Sequence, residues 1–319
     1  MTLRQAIHDF ISALELTPGQ QDEASRQHIY LRESLSRHLP LHPDHGARLS
    51  GSYARRTAIR PLNDIDVFCV MQPSSDCDPS VHTPSKGLDV VQEALERVYP
   101  MKDVRRQNRS VNIDFTETGI AYDVVPAFVD EHSDEQVFLI PDIRAAQWIR
   151  SNPEVHKARS VEANELTSSE LKPLTKGAKH WNRRQPDAAQ LRSFHLEVMA
   201  WRVLVEPPVD RLSGLVTLFD GLARCVYDRT PDPAGLGPDL DDDLTIADRQ
   251  LAAAQLNSAA NDIRRAQSLA SDGKTAAAHH VLYELFGEPY PERGAPETPS
   301  SRGPFISFPA PDATNKRFG

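Results

Sequence analysis

Residues 51–71 read GSYARRTAIRPLNDIDVFCVM, a Gly-Ser turn followed by an Asp-Ile-Asp sequence and an apolar run. The β-branched and apolar residues at 65–71 predict a buried strand. Residues two apart on a strand share a face, so Asp64 and Asp66 would present their carboxylates side by side while Ile65 enters the core. Adjacent carboxylates repel each other unless a cation lies between them, and Mg²⁺ binds carboxylate oxygens together with substrate phosphates. The segment therefore predicts a metal site where this strand begins.

The Gly51-Ser52 turn predicts a phosphate site next to these carboxylates. It opens a short predicted helix, and a helix N-terminus offers backbone N–H groups and the positive end of the helix dipole to an anion. The Ser52 hydroxyl adds a further donor, and Arg55 lies beside the turn, where we expect it to contact a phosphate. An Asp-x-Asp sequence alone is most often a solvated turn, but the Gly-Ser turn and the apolar strand favour the metal site.

A third carboxylate is expected on a neighbouring strand. Asp123, in Tyr-Asp-Val-Val-Pro at 122–126, lies in a dense apolar run, and Asp114, in Val-Asn-Ile-Asp-Phe at 111–115, is the competing candidate. The denser apolar context favours Asp123. Three carboxylates can hold two metal ions about 3.5–4 Å apart for in-line displacement at phosphorus.

Composition narrows the class of protein. The chain has 319 residues, a formal net charge of −9 and three cysteines, which show no spacing typical of a zinc site or a disulfide framework. A polar N-terminus and the lack of a long apolar run predict a cytoplasmic protein without a membrane segment. The negative charge argues against a general nucleic-acid coat protein but leaves room for a local basic groove.

The order of predicted elements indicates an α+β fold. Apolar spacing predicts helices over 2–16, 19–39, 86–99, 168–183, 192–205, 210–228, 246–271 and 273–286. Besides 65–71, strands are predicted over 104–107, 110–115 and 121–125, with residues 116–119 as a hairpin connection. We expect three regions: N-terminal helices with a mixed α/β body over 1–165, a helical region over 166–288, and a flexible Pro-rich tail over 289–319.

With Gly51-Ser52, Asp64-Ile-Asp66 and Asp123-Val-Val-Pro126, the chain resembles the nucleotidyltransferase superfamily of the DNA polymerase β type. Within it, the chain is most similar to bacterial CD-NTases, the cyclic-oligonucleotide synthases related to cyclic GMP-AMP synthase that carry a SMODS-type domain. Segments 171–182 and 191–197 are similar to this family's paired helices. The resemblance covers roughly residues 20–290. It implies a polymerase β-like sheet with flanking helices, joined to a C-terminal helical lobe. Residues 1–165 would then contain the nucleotidyltransferase catalytic core, and the helical lobe over 166–288 would close the nucleotide site.

The resemblance also implies roles for individual residues. Asp64, Asp66 and Asp123 would be the catalytic metal ligands for two Mg²⁺ ions, with Mn²⁺ as an alternative. Ser52 would contact the donor's terminal phosphates, and from the helical lobe Lys179 would hold the triphosphate while Ser193 adds a second phosphate contact.

Residue spacing suggests two further contacts with nucleotide. Lys176 and Lys179 are three apart on a predicted helix and would form a cationic edge, unless they are ordinary surface lysines. Phe194 would either stack on a base or pack in the core.

The resemblance implies synthesis of a cyclic di- or trinucleotide from nucleoside triphosphates, ATP among them, for antiphage defence. No membrane and no nucleic-acid template are expected, and a downstream effector would bind the product rather than this chain. A HORMA-domain protein, or E1/E2-like enzymes acting on the carboxylate of Gly319, would be the regulatory partner. Two alternatives stay open: an RNA-directed enzyme of the CCA-adding type, and a catalytically silent nucleotide-binding scaffold.

Overall fold

The computed structural model describes residues 1–62, 64–115, 119–133 and 136–291. The strands in these ranges are β1 (Ala47–Leu49), β2 (Asp64–Met71), β3 (Val104–Arg106), β4 (Val111–Phe115), β5 (Ile120–Val129), β6 (Phe138–Asp142) and β7 (Gln147–Ser151). The helices are α1 (Leu3–Ala13), α2 (Pro18–Leu35), α3 (Gly51–Arg55), α4 (Pro84–Val98), α5 (Pro153–Leu166), α6 (Leu171–Asn182), α7 (Ser193–Val203), α8 (Arg211–Cys225), α9 (Ile246–Ser271) and α10 (Thr275–Phe286).

Within the described residues, the strands form one mixed sheet in the order β1-β2-β5-β4-β3, and β6 joins β5 to β7. The pair β2 and β5 is parallel, while β4 runs antiparallel to β5. The register places Asp66 directly beside Asp123 and Asn112 on the other side of Asp123. The centre of the sheet therefore brings the two sequence-distant acidic motifs into contact.

The described residues form two large hydrophobic cores. One is built from the sheet with α2 and α4, and its residues include Ile65, Val67 and Leu88. The other is built from α6 to α10 together with α1, whose Ile7 and Phe10 are fully buried in it. The α+β fold predicted from sequence is confirmed. The three predicted regions remain a prediction, to which the structure adds that α1 packs with the C-terminal helices.

Several elements differ from the sequence prediction. The strands β1, β6 and β7 and the helix α5 were not predicted, and β5 extends four residues beyond the predicted end at 125. The β7 sequence Gln-Trp-Ile-Arg-Ser is only half-buried, and α5 buries only Ser160 and Ala163, so neither shows a clear apolar period. Residues 116–118 of the predicted hairpin connection, and the predicted tail from 292 to Gly319, lie outside the described residues.

Candidate active site

The acidic site is built on the parallel pair β2 and β5. Ile65 is 0 % exposed and anchors β2 in the core, while Asp64 and Asp66 on either side of it keep partly accessible side chains. This is the alternation predicted from the Asp-Ile-Asp sequence. Asp123 occupies the β5 position beside Asp66, and its Oδ1 accepts a hydrogen bond from Asn112 Nδ2 at 2.8 Å.

The phosphate turn touches this acidic site directly. Gly51 begins α3 with a φ of +62°, and a Cβ at this position would overlap the Asp66 carboxylate. The Ser50 N–H donates to the Asp66 carbonyl oxygen at 2.9 Å, which ties the turn to β2. Only glycine meets both requirements, a left-handed backbone and the close approach of a neighbouring side chain. A glycine at position 51 therefore allows the turn, with Ser52, to lie directly against the Asp66 carboxylate.

Burial and neighbouring carboxylates disfavour ionisation of Asp66 and Asp123, and the positive charges of Arg55 and Lys179 offset this only in part at Asp66. Burial, together with the charges of Asp64 and Asp123, raises the pKa of Asp66 to about 7. Burial and the charge of Asp64 raise the pKa of Asp123 to about 6, although the hydrogen bond from Asn112 acts in the opposite direction. Repulsion among oxygen donors is relieved by a hard divalent cation, so this donor set fits Mg²⁺ or Mn²⁺.

The carboxylates lie close together but are not arranged as a preformed metal-binding site. Among the residues that the structure describes, no group of three His, Cys, Asp or Glu side chains is arranged to hold a metal ion. The Asp66 carboxylate is directed at the Gly51 turn, and the Asp123 carboxylate is directed at Asn112. Holding a metal between them thus requires these side chains to turn from their present partners.

Asp114, the competing candidate for the third carboxylate, has a different environment. It lies opposite Ala121 of β5 and forms a 3.8 Å ion pair with Arg105, and its side chain is more than one-third exposed. Asp123 is the candidate that adjoins Asp66.

A buried ionic network lies behind the phosphate turn. Arg55 Nε donates to Glu197 Oε2 at 3.0 Å, and Lys179 Nζ donates to Glu197 Oε1 at 2.9 Å and to the Thr57 carbonyl at 3.0 Å. The Thr57 hydroxyl donates to Glu197 Oε1 at 2.9 Å. We refer to Arg55, Thr57, Lys179 and Glu197 as the Glu197 network. Burial alone would raise the pKa of Glu197, but the charges and hydrogen bonds of Arg55 and Lys179 hold it at about 2.

The Glu197 network changes the expected environment of two cationic residues. Arg55 and Lys179, predicted at the phosphates, are 8 % and 3 % exposed and have internal partners. A contact of either with phosphate requires an exchange of those partners, so their nucleotide-binding role stays a prediction. Sequence reasoning missed Glu197. The available signal was a glutamate within the apolar run His-Leu-Glu-Val-Met at 195–199, because a buried carboxylate needs a cationic partner.

The remaining predicted nucleotide contacts lie at several places around the network. Lys176 points elsewhere than Lys179 and pairs with Glu15 at 2.8 Å, so the two lysines do not form one free cationic edge. Ser193 is exposed at the first residue of α7. Phe194 is half-buried, and the Arg55 guanidinium lies over its ring at 4.4 Å from the centroid. Phe194 is therefore at present a stacking partner of Arg55.

A family model describes the same region of the chain. Residues 1–164 match the Second Messenger Oligonucleotide or Dinucleotide Synthetase domain, SMODS, which covers just over half of the chain. This match contains both acidic motifs and the phosphate turn. The chain belongs to the SMODS family. The relationship to bacterial CD-NTases predicted from the sequence is confirmed.

Several curated proteins are similar to this SMODS chain. A cyclic AMP-AMP-AMP synthase from Acinetobacter is 31 % identical over 209 residues, which are 62 % of this chain and 58 % of that protein. A cyclic AMP-AMP-AMP synthase from Escherichia coli is 26 % identical over 57 % of this chain and 58 % of its own length. The chain thus spans less than two-thirds of the length of these two relatives.

Solved structures of CD-NTases share the fold over most of the chain. E. coli CdnC with ATP superposes with a TM-score of 0.72 at 19 % identity, over 90 % of this chain and 98 % of that one. Vibrio cholerae DncV superposes with a TM-score of 0.71 at 15 % identity, over 91 % and 96 % of the two chains. CdnC has also been solved in complex with a HORMA protein. These likenesses show that the chain shares the fold of these proteins over about nine-tenths of its length.

Within the described ranges, none of the helices of the SMODS chain combines the length and the apolar character needed to cross a bilayer.

Proposed function

We propose that this SMODS chain condenses nucleoside triphosphates into a cyclic di- or trinucleotide, with release of pyrophosphate. The observation that carries the proposal is the register of β2 and β5, which places Asp66 beside Asp123 at the Gly51 turn. Carboxylates and a phosphate-binding turn in contact with each other are the groups that nucleotidyl transfer requires. The names of the relatives, cyclic AMP-AMP-AMP synthases, support ATP as one substrate.

In each condensation, the 3′- or 2′-hydroxyl oxygen of one nucleotide attacks the α-phosphorus of another. The new phosphodiester bond forms as the bond from the α-phosphorus to the oxygen bridging it to the β-phosphorus breaks. Pyrophosphate leaves with that bond's electron pair, and the hydroxyl proton is released to solvent. A final intramolecular attack by the terminal hydroxyl on the remaining 5′ α-phosphorus closes the ring and releases the last pyrophosphate.

The residues of the chain have separate tasks in this reaction. Asp64, Asp66 and Asp123 would hold two divalent cations, which supply charge neutralisation and activation of the hydroxyl when bound. The Gly51-Ser52 turn holds the donor phosphates through its backbone N–H groups and hydroxyl. Ser193, Lys176 and Phe194 are proposed as outer contacts to the nucleotide from the helical lobe.

The biological setting that we propose follows the family. The product would act as a second messenger in antiphage defence and would bind a separate effector. The HORMA complex of CdnC supports a HORMA-domain protein as the regulatory partner, whereas conjugation through Gly319 concerns a residue outside the described ranges.

The test is incubation with the four labelled nucleoside triphosphates and Mg²⁺ or Mn²⁺, followed by phosphatase treatment. A phosphatase-resistant product indicates a closed ring and supports the proposal. The control is the double variant Asp64→Asn with Asp66→Asn, which keeps side-chain shape, removes metal-ligand charge and should give no product. Transfer seen only after addition of tRNA would indicate a CCA-type enzyme, and the absence of any transfer with metal and the HORMA-type partner would indicate a silent scaffold.

A further inference from the structure

Glu197 is a buried carboxylate whose partners come from the phosphate-turn region and from the C-terminal helices. Its side chain on α7 is 0 % exposed, and it accepts hydrogen bonds from Arg55, Thr57 and Lys179, which are all less than one-tenth exposed. Arg55 is the last residue of α3, the helix that carries the phosphate turn, and Thr57 follows it by two residues, whereas Lys179 belongs to α6 of the helical lobe. Glu197 therefore joins the turn to the lobe through charged contacts shielded from water.

The connections continue from Glu197 to the phosphate turn itself. The Thr57 N–H donates to the Ser52 carbonyl at 2.9 Å, and Lys179 Nζ donates to the Thr57 carbonyl at 3.0 Å. The Phe194 ring lies beneath the Arg55 guanidinium. A helix of five residues has little stability of its own, so these contacts hold Ser52 in place together with the hydrogen bond from Ser50 to the Asp66 carbonyl.

The charges of the Glu197 network do not balance. Arg55 and Lys179 carry one more positive charge than Glu197 balances, and both charges also act on the Asp66 carboxylate beside the turn. Burying this imbalance costs free energy, and a stabilising apolar cluster of the same volume would avoid that cost. The arrangement is therefore better suited to holding an anion-binding turn in place than to packing alone.

We infer that Glu197 is a positioning residue for nucleotidyl transfer, which holds the Gly51-Ser52 turn against Asp66 from the helical lobe through Arg55, Thr57 and Lys179. The inference rests on the proposed function. Glu197 does not touch the substrate. Its effect is on the alignment of the phosphates at the carboxylates, and a small misplacement of a reacting group can lower a rate by about two orders of magnitude.

The first test is Glu197→Gln, which keeps side-chain shape and removes the negative charge. We expect kcat for pyrophosphate release to fall at least about tenfold while the apparent KM for triphosphate changes less than about threefold, because alignment is lost rather than binding. The matched control is Glu170→Gln, which breaks the 2.7 Å ion pair with Arg211 in the same lobe, away from the turn. The control should keep kcat within about twofold.

A double variant keeps the inference testable if Glu197→Gln folds poorly. Glu197→Gln combined with Arg55→Gln removes one cation with the anion, and so restores the net charge of the network. If Arg55 acts through Glu197, the double variant should lose no more kcat/KM than the more damaging single variant. If the fold-loss of kcat/KM in the double variant equalled the product of the fold-losses in the two single variants, the inference would be overturned. Arg55 and Glu197 would then act separately.

Hydrogen exchange gives a readout that does not depend on turnover. In Glu197→Gln the backbone amides of residues 51–57 should exchange at least about tenfold faster, whereas those of residues 65–71 should be unchanged. Unchanged exchange at 51–57, or activity that falls only with the folded fraction, would overturn the inference. If the wild-type chain makes no product, the proposed function fails, but faster exchange at 51–57 would still establish that Glu197 positions the turn.

Discussion

At the scale of single residues, position on the sheet separates two aspartates with similar sequence contexts. Asp123 adjoins Asp66 and is 7 % exposed, while Asp114 lies opposite Ala121 and pairs with Arg105. Asp123→Asn should lower the rate of pyrophosphate release at least about a hundredfold, because a metal ligand loses its charge at constant shape. Asp114→Asn is the matched control and should stay within about threefold. The reverse order of severity would identify Asp114 as the third ligand.

The raised pKa of Asp66 predicts how stability depends on pH. Without metal, its pKa lies at about 7 in the folded chain against an ordinary value of 3.8, so the folded state binds the proton more tightly than the unfolded state. This contribution to stability is therefore greatest below the ordinary pKa and is lost as the pH rises towards about 7.

Asp66→Asn removes this titration. We compare the thermal midpoints of unfolding of the variant and the wild type in the presence of a metal chelator. The midpoint of the variant, relative to that of the wild type, should be higher at about pH 8 than at about pH 4.5. Mg²⁺ should raise the wild-type midpoint at the higher pH, and it should raise that of the variant less. A midpoint difference that does not change with pH would contradict a raised pKa of Asp66.

At the scale of elements, the turn that begins α3 depends on one glycine. Gly51→Ala would place a Cβ on the Asp66 carboxylate as well as straining a φ of +62°. Gly273, at the end of α9, is the control, because its φ is +79° and no other atom lies within 4 Å of the position that a Cβ would take. Gly273→Ala should cost about 1 kcal/mol of stability through backbone strain alone.

Gly51→Ala should cost more than this control and should abolish product, since either the turn or Asp66 must move. Chemical denaturation and pyrophosphate release measure the two effects. If Gly51→Ala lost no more stability than Gly273→Ala and kept full turnover, the turn would not need its close approach to Asp66.

At the scale of the whole molecule, the first helix belongs to the core formed by the last helices. Phe10 is 0 % exposed, and its ring centroid lies 4.7 Å from that of Phe286 in α10. Phe10→Ala should lower the free energy of unfolding by about 3–5 kcal/mol, as expected for a large cavity in a core.

In Phe10→Ala, the amides of α6 and α8 should exchange faster than they do in the wild type, because the helical core loses packing. The exchange of amides in β2 and β5 should increase less, because the sheet core keeps its packing. The control is Tyr30→Ala in α2, where an aromatic side chain 59 % exposed should cost less than about 1 kcal/mol. A change in exchange confined to the sheet would contradict the placement of α1 in the helical core.

Patterns that depend on near neighbours were readable from the sequence. The alternation at Asp64, Ile65 and Asp66 predicted a strand with two carboxylates on one face, and the helix over 246–271 was predicted with the bounds that the structure has. The strand β7 was missed, since a half-buried edge strand needs its partner before its pattern has meaning. The strand β6 was missed as well, although it is mostly buried between β5 and β7.

By itself, the sequence determined the Gly-Ser turn, the acidic strand and the family, because each depends on residues a few positions apart. Only the tertiary structure decided which aspartate adjoins Asp66 and where Arg55 and Lys179 point. Arg55 and Glu197 are 142 residues apart along the chain, so no local period relates them. Their pairing arises because a carboxylate buried by the packing of α7 must find positive charge, and the fold brings α3 and α6 to it.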